Sequence, residues 1–191
     1  MNEVKAVIFD CFGVLYPQAA GSYFDSHKKL FASRPDVLAK LDLQIDLGRI
    51  TRTEFFDALG AVANMAGKDI QNEIDAALIV DPDLVEFVER LKKHYRIGLL
   101  SNAGKEEIEI IFRDNIDNLF DAIAVSYEVG SVKPEPAIYL ACAQRLGVEP
   151  VNCMYIDDSM ANVSAAKKLG MTAVYYPEFG TIPRQLLELL E

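Results

Sequence analysis

The chain has 191 residues, 51% hydrophobic and 25% charged, which is a globular composition long enough for one substantial core and a smaller module. The formal net charge is −10 and the sequence pI about 4.7. Such a surface repels phosphate backbones, so nucleic acid and anionic membrane are not expected partners, whereas a small anionic substrate held by local cations remains open. The opening MNEVKAVIFD has no signal-peptide pattern, and no apolar run approaches the roughly 20 residues of a membrane-spanning helix. Cys11, Cys142 and Cys153 are far apart, odd in number and set in apolar stretches. They read as reduced thiols of a cytoplasmic protein.

Five short apolar runs stand out: Val4–Phe9, Arg96–Leu100, Ala122–Val125, Cys153–Ile156 and Thr172–Tyr176. They are rich in Val, Ile and Leu without clean alternation, as in parallel strands buried on both faces. From the second run onward, helical patterns separate them. Pro82–His94 opens with Asp81 as N-cap and Pro82 in the first helical position, with Leu84, Val85, Val88 and Leu91 on one face. Lys105–Arg113, Pro136–Leu146 and Met160–Leu169 follow, the last closed by Gly170, and a terminal helix covers Ile182–Leu190. This alternation predicts a doubly wound, three-layer α/β fold.

The stretch between the first and second runs is far longer than one crossover needs. From Tyr16 to Val80 it reads as helical. Ser22–Phe31 forms one predicted helix, Pro35 begins a second that Gly48 and Ile50 punctuate, and Lys68–Ile79 forms another. Between them, Thr51-Arg52-Thr53-Glu54 is a capping box ahead of Phe55, Phe56, Leu59 and Val62. Ligands of open α/β sheets bind beyond the carboxyl ends of the strands. An insertion springing from that rim is either a lid or a decoration without substrate contact.

Three predicted strands finish in polar residues. After the first, Asp10-Cys11-Phe12-Gly13-Val14 places a carboxylate before a tight glycine turn with exposed N–H groups, although Asp and Gly also begin many ordinary loops. After the second, Ser101-Asn102 can bind an anionic oxygen beside a helix start or simply cap that helix. After the fourth, Asp157 and Asp158 repel each other unless a cation is near; Mg²⁺ fits, and one helix cap plus one exposed acid is the plain alternative. Lys133, in Gly130-Ser131-Val132-Lys133-Pro134, is either solvated or the cation that balances these acids.

Asp10 with Gly13-Val14, Ser101-Asn102, Lys133-Pro134 and Asp157-Asp158 resemble, in order and placement, the four signature motifs of the haloacid dehalogenase-like hydrolases. The resemblance runs through essentially the whole chain. It implies a Rossmann-like doubly wound parallel sheet, residues 1–15 and 81–191, with a helical-bundle cap at residues 16–80 between the first and second motifs. The passage from Leu47 to Phe55 is similar to small sugar-phosphate phosphatases of that superfamily. By this resemblance Asp10 attacks phosphorus and forms an aspartyl-phosphate. Ser101 and Lys133 hold phosphoryl oxygens, Asn102 shapes its loop, and the Phe12-Gly13 turn lies beside the substrate. Mg²⁺ is held by Asp10, the Phe12 carbonyl, Asp158 directly, and Asp157 directly or through water. The implied substrate is a small phosphorylated metabolite.

One position departs from the pattern. Phosphatases of the family carry a second Asp two residues after the nucleophile, where it protonates the leaving oxygen and later activates water. Here that residue is Phe12, which exchanges no proton. Three readings follow: a Mg²⁺-dependent phosphatase with its acid elsewhere, a non-catalytic phospho-ligand or partner-binding protein, or a carbon–halogen hydrolase. The 2-haloacid dehalogenases resemble this chain in an aromatic residue at position 12, but they use no metal and place an Asp where this chain has Asn162. Tyr16, Lys28, Lys29, Arg34, Arg49 and Arg52 are the cap's candidate substrate contacts. His27 is its one imidazole and a possible substitute acid, although a surface place is expected. His94 reads as structural, and Tyr127 and Glu128 as candidates for the rim.

Overall fold

A computed structural model describes residues 3–31, 34–112 and 116–190. Five parallel strands form one sheet in the order β3-β2-β1-β4-β5: β1 Ala6–Phe9, β2 Arg96–Ser101, β3 Ala122–Val125, β4 Cys153–Asp157 and β5 Thr172–Tyr175. The predicted Rossmann-like class holds. Along β1, Val7 and Phe9 enter one apolar cluster while Ala6 and Ile8 enter another on the opposite face. Burial on both faces is why these runs lack alternation.

The first cluster packs the sheet against α6, Pro82–Leu91, through Leu84, Phe87, Val88 and Leu91, and receives Leu186 from α11, Arg184–Leu187. The second packs it against α9, Pro136–Leu146, and α10, Met160–Lys168. The N-cap of α6 is as expected: Asp81 Oδ1 accepts from the N–H groups of Asp83 and Leu84 at 3.0 and 3.2 Å. The helix ends at Leu91, three residues short of the predicted His94. The chain must turn there to enter β2, and the N–H groups of His94 and Tyr95 both donate to the Leu91 carbonyl at 2.9 Å. The terminal helix is likewise shorter than expected, Arg184–Leu187 followed by a 3₁₀ turn. After β2, α7 spans Lys105–Phe112; Arg113, its predicted end, lies outside the described residues. A short helix that sequence reading missed, α8 at Ser126–Val129, follows β3.

Between β1 and α6 lie five helices among the described residues: α1 Ala19–Ser26, α2 Lys28–Phe31, α3 Pro35–Asp46, α4 Arg52–Ala63 and α5 Gly67–Ala76. The single predicted helix Ser22–Phe31 starts earlier and breaks at His27. Burial of Ala19 and Tyr23 against the insertion's own core outweighs the weak helix propensity of Gly21 and Ser22. The capping box before α4 forms: Thr51 N–H donates to Glu54 Oε2 at 2.8 Å, and Glu54 N–H to Thr51 Oγ1 at 3.2 Å. The insertion has a core separate from the sheet's, built from residues such as Tyr23, Phe31, Ile45, Phe55, Phe56, Leu59, Ile70 and Ile74. Tyr16 departs from its reading as a cap contact. It is 2% exposed within the sheet-layer core, and its carbonyl accepts from Gly13 N–H at 2.6 Å, so it belongs to the turn after β1.

Helices α4 and α5 meet backbone to backbone. A Cβ on Gly67 would stand 2.4 Å from the Phe56 carbonyl oxygen, and one on Gly60 would stand 2.7 Å from Gly67 N. Gly67→Ala is therefore expected to force the two helices apart and lower unfolding free energy by about 1–3 kcal/mol, an overpacking cost. Urea denaturation measures this, and an unchanged midpoint and slope would show that the contact yields freely.

Candidate active site

The carboxyl ends of β1, β2 and β4 lie side by side because β1 is central, with the connection order reversing around it. Each strand delivers its polar residue there: Asp10 follows β1, Ser101 ends β2 and Asp157 ends β4. Lys133 arrives on the loop after α8. Its Nζ lies 2.5 Å from Asp10 Oδ1 and 3.1 Å from Asp157 Oδ2, so one ammonium joins the two strand ends. All three residues are buried.

Asn102 sets the position of that lysine. Its Oδ1 accepts from Lys133 N–H at 2.7 Å, and its Nδ2 donates to the Lys133 carbonyl at 3.3 Å. Asp157 is saturated with donors. Ser159 N–H reaches Oδ1 at 2.7 Å, Asn162 Nδ2 lies 3.1 and 3.0 Å from the two oxygens, and the Tyr155 hydroxyl donates to Oδ2 beside Lys133. Asp10 is asymmetric by contrast. Its Oδ1 takes both Lys133 and the Cys11 N–H, at 2.6 Å, while Oδ2 accepts no hydrogen bond among the described residues.

Oxygens of Asp10, Asp157 and Asp158 lie within 4.8 Å of one another. Burial pushes the Asp10 carboxyl up, Lys133 pulls it back, and Asp157 and Asp158 push it further up. Asp158 is raised by burial and by Asp157. Burial works against the Lys133 ammonium, but Asp10 and Asp157 outweigh it and hold the lysine protonated. Gly13 has φ +91°, and a Cβ there would stand 2.1 Å from Asp158 Oδ2, so the turn after Asp10 admits Asp158 only because it lacks a side chain.

These groups open into a cavity of about 520 Å³ between the sheet edge and the insertion. Asp10, Phe12, Ser101, Asn102, Lys133 and Asp158 line it. Asp157 lies beneath, fully buried. Of the cationic cap candidates Arg52 lines the cavity. It is 7% exposed, its guanidinium is paired with Asp75 and lies 4.8 Å from the Phe56 ring centroid, and its Nε has no partner among the described residues. Lys28, Lys29, Arg34 and Arg49 are exposed away from it. His27 stacks on Tyr23 at 4.2 Å between ring centroids and does not line the cavity. His94 is exposed. Tyr127 packs against Gly48 and Glu128 pairs with Arg145, both outside the lining.

Sequence reading missed Gln18, Phe24, Asp42, Asp46 and Glu107, which also line the cavity. Gln18 hydrogen-bonds Asp158. Burial raises Asp46 to about 7, with Glu107 and Asp42 adding repulsion and Lys133 opposing. The Asn102→Ala variant is expected to lose about 1–3 kcal/mol of stability, from two hydrogen bonds and a released buried lysine. Equilibrium denaturation checks this; parental stability would mean that the Lys133 loop holds without its amide clamp.

A family model described as haloacid dehalogenase-like hydrolase matches residues 4–170. Hexitol phosphatase B of Escherichia coli (strain K12) is 27% identical over 92% of this chain and 85% of that protein. Drimenol cyclase drtB of Aspergillus calidoustus is 25% identical over 97% of this chain, which spans only 36% of that longer protein. The crystal structure of a HAD family enzyme, BT-2542 from Bacteroides thetaiotaomicron, determined as a magnesium complex, shares the fold with a TM-score of 0.79. It is 24% identical and covers 97% of this chain and 99% of that chain. With a family match across most of its length and the four motifs gathered at one sheet edge, the chain belongs to the haloacid dehalogenase-like hydrolases.

Proposed function

We propose that the protein is a Mg²⁺-dependent phosphatase of small phosphorylated metabolites that works through an aspartyl-phosphate on Asp10. The observation that carries this reading is the Lys133 ammonium shared between Asp10 and Asp157 at the floor of a cavity also lined by Ser101 and Asn102. The similarity to hexitol phosphatase B supports the substrate class. The insertion helices α1 to α5 then act as the cap that closes this cavity over the sheet edge.

Asp10 Oδ1 is engaged by Lys133 and Cys11, so Oδ2 is the oxygen assigned to attack. An Oδ2–P bond forms while the bond from phosphorus to the leaving oxygen breaks. Water then forms a new bond to phosphorus and the Asp10 ester bond breaks, restoring the carboxylate and releasing inorganic phosphate. Lys133 and the Ser101 hydroxyl hold the phosphoryl oxygens, and the buried setting strengthens both contacts.

The residues fit a hard divalent cation. Oxygens of three carboxylates lie within 4.8 Å of one another with one ammonium bridging only two of them, and an all-oxygen donor set suits Mg²⁺. Asp10, Asp158 and the Phe12 carbonyl are the assigned ligands. Both Asp157 oxygens already accept donors, which favours a role through water for that residue. Bound there, the metal would screen phosphoryl charge from the attacking carboxylate. The acid pair also disfavours 2-haloacid hydrolysis, because Asp158 on the cavity wall would repel a carboxylate substrate.

Mg²⁺ is expected to raise the melting temperature by binding the folded state, and Asp158→Ala to remove that rise. Asp10→Asn is expected to reduce turnover to background while keeping the fold, and beryllium fluoride to form its adduct only on the parent. A parent with no Mg²⁺-dependent shift at millimolar metal, or an Asp10→Asn variant with most of the activity, overturns the reading.

A further inference from the structure

Phe12 leaves the proposed phosphatase without a proton donor at its usual place, and few other cavity groups are free to supply one. Asp10 is the nucleophile, and Lys133 and Asp158 belong to its floor. The Arg52 guanidinium is committed to Asp75. Glu107 Oε2 accepts the Gly104 N–H at 2.7 Å, which ties it to the start of α7. Asp42 is exposed.

Asp46, at the end of α3, differs from all of these. It is half-buried in the cavity wall, and its carboxylate makes no hydrogen bond among the described residues. Its main chain is nevertheless fixed to the sheet. The Ser126 hydroxyl donates to the Asp46 carbonyl, and the same Oγ accepts the Ala103 N–H at 2.9 Å. Ala103 directly follows the Ser101-Asn102 turn. Asp46 is thus registered against the residues assigned to the phosphoryl group while standing on the cap side, where the leaving group must lie.

We infer that Asp46 protonates the leaving oxygen and then takes a proton from the water that hydrolyses the aspartyl-phosphate. This rests on the phosphatase reading. In the first step the electron pair of the breaking bond to the leaving oxygen takes the Asp46 proton. In the second, water bonds to phosphorus, its proton passes to Asp46, and the Asp10–phosphorus bond breaks. The acid that begins the cycle is regenerated. Its charged surroundings suit both halves: Glu107 from α7 and Asp42 from α3 hold the proton on, while Lys133 helps to release it. A carboxyl raised to about 7 is present in both forms at neutral pH, the condition for an efficient acid and base in one residue.

The test compares Asp46→Asn with the parent on an alkyl phosphate, whose leaving oxygen needs a proton, and on p-nitrophenyl phosphate, whose leaving oxygen does not. The kcat/KM value reports steps only through leaving-group departure. The ratio of alkyl to aryl kcat/KM is expected to fall by about 10²–10⁴-fold in Asp46→Asn, the range for general acid catalysis. The same variant should show a burst of about one p-nitrophenolate per site followed by slow turnover, because its phosphoenzyme lacks a base. Adding Phe12→Asp to Asp46→Asn should restore the ratio. In the parent, alkyl kcat/KM should fall above about pH 7 as Asp46 loses its proton, while aryl kcat/KM does not follow; this arm needs no variant to fold. An unchanged ratio with no burst, or parallel alkyl and aryl pH profiles, overturns the role of Asp46 and leaves the phosphatase reading standing. A parent inert toward both esters and without a beryllium fluoride adduct overturns that reading and the Asp46 assignment together.

Discussion

Everything at the sheet edge depends on one ammonium group placed among three carboxylates. A buried carboxylate is costly without a counter-charge, and β1 and β4 each end in one. Lys133 answers both at once, but only because its backbone is held on either side by the Asn102 amide. Asp157 gives the arrangement its rigidity. With donors from Tyr155, Ser159 and Asn162 as well as Lys133, it acts as the anchor against which the lysine is aimed at Asp10. Removing Asn102 or Asp157 would therefore disturb Asp10, the proposed nucleophile, without touching it. Three negative groups against one positive still leave the site short of charge. That shortage of positive charge is the electrostatic basis for the proposed divalent cation, which an anionic phosphoryl group would need beside it.

The insertion solves a different problem. Its apolar core is its own, so it needs few contacts to stay folded, and those it makes with the sheet layers serve position more than burial. Ser126 holds the Asp46 carbonyl, Glu106 accepts the Arg52 N–H at 2.6 Å, and Tyr127 packs on Gly48. These contacts all fall between the end of α3 and the start of α4. The same short stretch brings Asp46 and Arg52 into the cavity, so the seam between the two layers and the cap side of the site are one piece of chain.

The strand-end residues were legible because a parallel sheet is a one-dimensional signal. An apolar run followed by Asp10, Ser101 or Asp157 already states where each side chain stands relative to the ligand edge. Lys133 carried meaning from its order among them. Asp42, Asp46 and Glu107 were not legible. Each looks like an ordinary acidic residue on a helix, and their convergence depends on the end of α3 meeting the start of α7 in space. Tyr16 was misread because it follows the first motif directly, where only the tight turn through Gly13 shows that the chain is still inside the sheet core. The sequence pattern starts a helix only at Ser22, and the packing of Ala19 and Tyr23 that begins α1 earlier is tertiary.

The replacement at position 12 also bears on that charge balance. Phe12 packs against the sheet core beside Gly13 and Asp158. A carboxylate there would make a fourth acid around one lysine. At a spacing of about 5 Å and an effective dielectric of about 20, each added like-charge pair would cost on the order of 3 kcal/mol. An aromatic ring there adds no such charge, at the cost of a proton donor at the strand end. Placing the donor on Asp46 puts the fourth acid at the opposite wall, where it repels Asp10 less and Glu107 and Asp42 tune it instead. It also changes what controls the chemistry. An acid two residues after the nucleophile is present whatever the insertion does. An acid at the end of α3 is in place only while Ser126 holds the Asp46 carbonyl, so proton transfer to the leaving group is coupled to the docking of the insertion on the sheet. On that assignment a substrate too large for the docking would bind its phosphoryl group at the floor and still lack the proton its departure requires, so the seam would select substrate size.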